Sequence, residues 1–240
     1  MRQALAATLW VASVSIALAS AGSPALPPEI HPGVARAIEK ADQAISQGSF
    51  QQALAILHAT VYTGGVTVRV DESGLGDLRA TAHRAVTRGI RGWETALGSD
   101  NPIRLVAPHQ SAQVVIKFVD RVPDSDHDAC GLIQLEKQYR WNSQRFEYEV
   151  KGTIYVQKAI SGKPLTEDHL TEIICHELGH LLGLADVDDH GVLMGPMVMS
   201  QATLEPASHE IRAVKVLRER ARNSIATINR TLSKPRSQVG

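Results

Sequence analysis

The segment His176-Glu-Leu-Gly-His180 places two imidazoles four positions apart, with a carboxylate directly after the first. Residues four apart lie on one face of a helix, one above the other, so both rings can bind a single zinc ion. Glu177 lies one step round the helix, where it can act as a general base toward a water molecule without binding the metal. The spacing therefore predicts a catalytic zinc site.

A third ligand is expected just after this helix. Gly183 stands at its predicted end, and glycine readily adopts the left-handed conformation that terminates helices. The chain can then turn back and bring Asp186 to the same ion, because two imidazoles and one carboxylate are a known zinc ligand set. The predicted site has one catalytic base, Glu177, and three metal ligands: His176, His180 and Asp186.

Other side chains in the following loop compete for the third position. His190 is the strongest rival to Asp186, since imidazole is a common zinc ligand, and Asp188 and Asp189 are further carboxylates nearby. If His190 joined Asp186, four protein ligands would close the site, as in structural zinc sites. The alternative function is therefore a non-catalytic, zinc-containing interaction module.

The elements that hold this site can be read from hydrophobic spacing. Thr166 can cap a helix that runs to about Leu182, and its apolar side chains can anchor the helix in a core. Further helices are predicted at 78–97 and 210–232. Strands are predicted at 66–70, 103–106, 114–119, 132–139, 146–150 and 153–156. Strands that mostly follow one another after a first helix indicate an α+β fold.

The N-terminal quarter of the chain divides into two parts. Arg2 followed by the uncharged apolar run 4–19 predicts a signal peptide at 1–21, with a membrane anchor as the alternative. Residues 22–63 then hold a linker and a helical hairpin at 35–60, interrupted by Gly48 and Ser49, which resembles one tetratricopeptide hairpin. One such repeat cannot bury its own apolar face, so we expect it to pack on the domain at 64–240.

The segment from His176 to Pro196 resembles the metzincin signature, H-E-x-x-H-x-x-G-x-x-H followed by a Met-turn, with spacing similar to that of the matrixins. Asp186 replaces the third histidine, as in snapalysin-type metzincins, and Gly195 replaces the aromatic residue after Met194. The resemblance implies a twisted mixed sheet, a long helix, an active-site helix, a Met-turn with Met194 beneath the metal, and a C-terminal helix.

The same resemblance implies a function. The chain would be a secreted, or periplasmic, zinc-dependent endopeptidase that hydrolyses peptide bonds, with Glu177 as the base and an extended peptide or protein substrate paired with an edge strand. Hydrolysis of a non-peptide amide is a further possibility. Lys plus Arg and Asp plus Glu number 25 each, which gives no electrostatic footprint for nucleic acid. No stable membrane insertion is expected, and the sequence sets no oligomeric state.

Two remaining groups of residues leave their roles open. Cys130 and Cys175 could form one disulfide in a secreted protein or remain two thiols. A structural Ca²⁺ ion or another zinc ion could bind the acidic stretch from Asp120 to Asp128. Its spacing matches no known calcium loop, and a solvated acidic loop is the plainer interpretation.

Overall fold

The computed structural model of the chain describes residues 25–123, 129–141 and 146–233. The predicted signal peptide at 1–21 lies outside the described residues, as does most of the acidic stretch near Asp120. The helices are α1 (Pro32–Ser46), α2 (Phe50–Val61), α3 (Arg79–Leu97), α4 (Glu167–Leu181) and α5 (Ser208–Leu232). The longer strands are β1 (Val66–Val70), β2 (Ile103–Leu105), β3 (Val114–Val119), β4 (Gly131–Trp141) and β5 (Phe146–Gln157), followed by the short β6 (Ala159–Ile160) and β7 (Lys163–Pro164).

The five longer strands form one mixed sheet in the order β2-β1-β3-β5-β4. Neighbours are parallel except β4, which runs antiparallel to β5 along its whole length. Ile154 of β5 is opposite Ile116 of β3 on one side and Ile133 of β4 on the other. Strand β4 is thus at the end of the sheet and, within the described ranges, pairs with β5 alone. The α+β class is confirmed.

One sequence prediction of the strands is wrong. We expected separate strands at 146–150 and 153–156, but β5 is continuous from Phe146 to Gln157. Gly152 does not break it. A Cβ at this position would lie 2.6 Å from Leu135 Cδ2 and 3.1 Å from the Gln134 carbonyl oxygen. The glycine is there because the neighbouring strand packs too closely for a side chain.

Helices α3 and α4 contact each other closely, with α3 also touching β2 and α4 touching β4 and β5. Small residues allow the approach. A Cβ at Gly89 would lie 2.9 Å from Ile174 Cγ2, and one at Gly92 would lie 3.4 Å from Cys175 Sγ. The fully buried indole of Trp93 donates a hydrogen bond to the Cys175 carbonyl at 2.8 Å. These contacts fix the helix that carries His176 and His180.

The helical hairpin predicted at 35–60 is present as α1 and α2, and it shares the hydrophobic core of the sheet domain. The buried Ile38 and Leu57 belong to the same continuous cluster as Ile116 and Leu178. Helix α2 contacts both β5 and α5. The hairpin is therefore packed on the domain at 64–240, as its apolar face required.

No helix of the described ranges is both long enough and apolar enough to cross a bilayer.

Candidate metal centre

Helix α4 presents the two histidines from a rigid base. The Thr166 hydroxyl accepts a hydrogen bond from the His169 backbone N–H at 3.3 Å, which caps the helix, and Glu167 and Asp168 complement the positive end of its dipole. The apolar anchors predicted for this helix are all buried: Ile173, Ile174, Leu178, Leu181 and Leu182. His176 and His180 keep about a fifth of their side-chain surface exposed, at 20% and 19%.

The helix ends at a glycine, as its sequence predicted. Gly183 has a φ of 103°, and its N–H donates to the His180 carbonyl at 3.0 Å, while the Leu184 N–H donates to the Gly179 carbonyl at 3.0 Å. This pair of bonds is a Schellman motif, which requires a left-handed residue at the position of Gly183. The chain reverses here, and Asp186 returns over the two imidazoles.

The three predicted ligands meet. Asp186 Oδ1 is 3.1 Å from His176 Nε2 and 3.3 Å from His180 Nε2. The ring centroids of the two histidines are 4.8 Å apart, and their planes are nearly perpendicular at 85°. One ligand atom from each of the three residues lies within 4.8 Å of the others, so this group could hold a metal ion.

Backbone carbonyls set the tautomer of both imidazoles. His176 Nδ1 is 2.8 Å from the Leu193 carbonyl, and His180 Nδ1 is 3.0 Å from the Leu184 carbonyl. A carbonyl oxygen can only accept, so each Nδ1 must carry the hydrogen. In a neutral ring the lone pair is then on Nε2, the atom that faces Asp186. This is the arrangement in which histidine binds a metal.

The charges of the group are strongly coupled. The two imidazoles hold the pKa of the Asp186 carboxyl well below its ordinary value. Burial lowers the pKa of His180, but the hydrogen bond to Asp186, the charge of Glu177 and the Leu184 carbonyl outweigh it, so that the pKa is raised overall. Metal binding would draw on the same donors, because the ligating form of histidine is the neutral ring and that of aspartate is the carboxylate.

Glu177 lies beside the ligands but is not one of them. It is 4% exposed, and its Oε2 is buried without a hydrogen-bond partner among the described residues. Burial raises the pKa of Glu177, and the charge of Asp186 adds to this rise. The nearby His176 and His180 and a hydrogen bond from the Ile133 backbone act in the opposite direction without cancelling it. A buried, unsatisfied carboxylate is costly to ionise, and such groups mark functional sites.

The loop after Asp186 forms a tight turn under the helix. Met194 is buried, its carbonyl accepts from the Val187 N–H at 2.9 Å, and its N–H donates to Glu210 Oε1 at 2.7 Å. A Cβ at Gly179 would lie 2.3 Å from Met194 Sδ, so the sulfur packs against the helix between the two histidines. The turn therefore supports the ligand face from below.

Two supporting residues escaped the sequence analysis. Glu210 was predicted only as part of the last helix, yet it is fully buried and binds the N–H groups of both Met194 and Ala207, the latter at 2.6 Å. Gly131 was not singled out, yet its Cα faces the Glu177 carboxylate. The signal for Glu210 was an acid three residues into a helix that follows a proline-containing loop. No local sequence pattern marks Gly131, because Glu177, the residue that it contacts, is 46 positions away in the chain.

A cleft of about 890 Å³ opens over the metal centre. One side is formed by the start of β4, with Gly131, Leu132 and Ile133, and another by the turn at 193–197. The helical hairpin contributes His31, Val34 and Tyr62 to the same cleft. The backbone of the hairpin reaches the site directly, because the His31 N–H donates to the Gly183 carbonyl at 2.9 Å.

The other candidates for the third ligand do not join the group of His176, His180 and Asp186. Among the described residues, the group that could hold a metal contains neither His190 nor Asp188 nor Asp189, and all three are exposed. Residues 124–128 of the acidic stretch lie outside the described residues, while Asp120 forms an ion pair with Lys158 at 2.8 Å. Cys130 and Cys175 are both thiols, which resolves the alternative that the sequence left open.

Comparison of the chain with protein-family models and with curated proteins finds no match.

Proposed function

We propose that this chain is a secreted zinc-dependent endopeptidase of metzincin type, with His176, His180 and Asp186 as zinc ligands and Glu177 as general base. One observation carries the proposal. Three donors with the tautomers and spacing that metal binding needs meet at one point, beside the buried carboxyl group of Glu177, whose Oε2 has no hydrogen-bond partner among the described residues. Nitrogen and oxygen ligands in this combination suit zinc.

The number of donors favours catalysis over a structural role. Structural zinc sites are usually closed by four protein ligands, whereas catalytic sites use three and leave a position open. Only three donors converge in the described part of the chain. The interaction-module alternative needed His190 as a fourth ligand, and His190 is not in the group.

Each residue then has a chemical task. A zinc ion bound here supplies Lewis-acid activation of a water molecule and of the scissile carbonyl. Glu177 takes the proton from the attacking water, and the same carboxyl returns it to the leaving amine. Its raised pKa suits this task, because a base with a pKa nearer to neutrality can both accept and release a proton. The Leu193 and Leu184 carbonyls keep the two imidazoles in their ligating tautomers.

The cleft accommodates an extended peptide. Strand β4 ends the sheet and borders the cleft through Gly131, Leu132 and Ile133, so a substrate strand can add to it by backbone hydrogen bonds. The order of a long helix, an active-site helix, a buried Met194 turn and a C-terminal helix is that expected from the metzincin resemblance. The apolar leader at 1–21 supports export from the cell.

The test is hydrolysis of a denatured protein by the purified, zinc-loaded chain starting near Gly22, with and without a chelator. We expect cleavage that the chelator abolishes and added zinc restores. His180→Ala and Asp186→Ala should lose both zinc and activity, whereas His190→Ala, in the same loop, should keep both. Zinc bound stoichiometrically with no hydrolysis of any protein or peptide would overturn the proposal.

A further inference from the structure

A second buried carboxylate lies on the ligand-bearing stripe of α4. Glu172 precedes His176 by four residues, and His176 precedes His180 by four, so the three side chains follow one face of the helix. At 1.5 Å per residue, Glu172 is about 6 Å along the axis from the first ligand. It lines the same cleft as the metal centre and is only 5% exposed.

One oxygen of this carboxylate is unsatisfied among the described residues. Its Oε2 is buried and has no hydrogen-bond partner among the described residues, and no described lysine or arginine forms an ion pair with it. Burial raises the pKa of Glu172, while the Thr203 backbone and the imidazoles of His169 and His176 oppose the rise. Glu210, in the first turn of α5, shows the contrast, since both of its oxygens are bound by backbone N–H groups.

The surroundings of Glu172 suit a long cationic side chain. The cleft near the metal centre is lined by apolar groups that include Ile173, Leu193, Pro196 and Met197. Lysine and arginine bury their aliphatic stems along such surfaces and keep only the charged end for a polar partner. An arginine guanidinium can also bind a carboxylate through two hydrogen bonds, which an ammonium group cannot do with the same geometry.

We propose that Glu172 is a specificity-determining residue that binds a basic side chain of the substrate, arginine above lysine, next to the bond that is cut. The inference rests on the proposed peptidase function, because the substrate is a peptide held in the cleft. Glu172 takes no part in the bond-breaking step. It selects which peptides are held with the scissile bond at the metal centre.

The first experiment identifies the bonds that the zinc-loaded chain cuts in a denatured protein, by mass spectrometry of the products. Two peptides follow, identical except for arginine or norleucine beside the main cleavage position. We expect kcat/KM to favour the arginine peptide by about 30-fold or more, the range seen for buried charge pairs. Glu172→Gln, which keeps the size of the side chain, should reduce the ratio of kcat/KM between the arginine and norleucine peptides to near one.

Glu39→Gln provides the matched control. It removes the same charge from an exposed position on α1 that does not line the cleft, and it should retain the full preference. Cleavage with no preference for basic residues in the wild-type chain would overturn the assignment of Glu172 while leaving the peptidase function intact. A preference for arginine that remains undiminished in Glu172→Gln would also overturn this assignment.

A binding measurement keeps the two proposals separable if no cleavage is seen. Saturation-transfer NMR can compare n-butylguanidinium with its neutral analogue n-butylurea on the full wild-type chain. We expect transfer to the guanidinium compound alone, and its loss in Glu172→Gln. Absence of saturation transfer from the wild-type chain to n-butylguanidinium would overturn the role of Glu172. This result depends neither on catalysis nor on the folding of any variant.

Discussion

The substitution Gly131→Ala tests how Glu177 is positioned. Gly131 begins β4 and lies directly against the carboxyl group of Glu177, the proposed general base. An added Cβ would lie 2.4 Å from Glu177 Oε1, 3.0 Å from Glu177 Cδ and 2.7 Å from Ile173 Cγ2. Ordinary van der Waals contact begins near 3.4 Å, so the carboxylate would have to move by about 1 Å.

The size of the effect follows from this displacement. A misplacement of about 1 Å at a reacting group can reduce turnover by about 100-fold, or about 2.7 kcal/mol in activation free energy. We expect kcat on a fluorogenic peptide to fall by that order in Gly131→Ala. Zinc affinity should stay at the wild-type value, because the methyl group meets no ligand. The overlap with Ile173 should also cost about 1–3 kcal/mol of stability, which chemical unfolding measures.

Two controls separate positioning from general damage. Gly64→Ala makes the same change where the added Cβ has no neighbour within 4 Å, and it should leave kcat unchanged. The double variant Gly131→Ala/Glu177→Gln should be no less active than Glu177→Gln alone, if the loss of turnover comes from displacement of that carboxylate. Full activity in Gly131→Ala, or equal losses of zinc and turnover, would refute the reasoning.

Three further predictions concern the support of the site. Glu210→Gln should lower the free energy of unfolding by about 2 kcal/mol or more, since Met194 and Ala207 donate to different oxygens of Glu210 and glutamine would turn an NH2 group toward one of these N–H groups. Unchanged urea unfolding would contradict this. Gly195→Ala should destabilise the chain by at least about 1–3 kcal/mol, because its Cβ would lie 1.9 Å from the Asp189 carbonyl oxygen; a thermal scan equal to that of Gly64→Ala would count against the turn geometry. Cys175 should resist thiol reagents at pH 8 in the folded chain, because burial raises its pKa well above the ordinary value. Both cysteines should react once the chain is unfolded without reductant. A count of zero thiols in the unfolded chain would indicate a disulfide and contradict this prediction.

The sequence predicted the parts of the site that are local in the chain. His176, His180 and Gly183 follow helix geometry, so their positions could be derived from spacing, and Asp186 followed from the short turn after Gly183. The helix and strand positions were also accessible, because their apolar side chains repeat with the right period. The join of two predicted strands into β5 was missed, since Gly152 is explained by packing against Leu135 and not by the local sequence.

The remainder depends on contacts between distant segments. Gly131 meets Glu177 and Glu210 meets Met194 only after the sheet and the last helix have assembled. Gly195 departs from the metzincin pattern because the Asp189 carbonyl oxygen lies so close to its Cα that no side chain fits there. The role of the hairpin as one side of the cleft could not be derived either, because it depends on how α1 and α2 pack against α4 and α5.

Comparison of Glu177→Gln with the wild-type chain is the decisive experiment on the proposed zinc peptidase. Both proteins would be loaded with zinc, their metal content measured and their hydrolysis of one peptide followed under the same conditions. We expect equal zinc content and loss of turnover in the variant, because the proposed role of Glu177 is to move the proton and not to hold the metal. Retained turnover in Glu177→Gln, or loss of zinc from it, would contradict the assignment of Glu177 as the base.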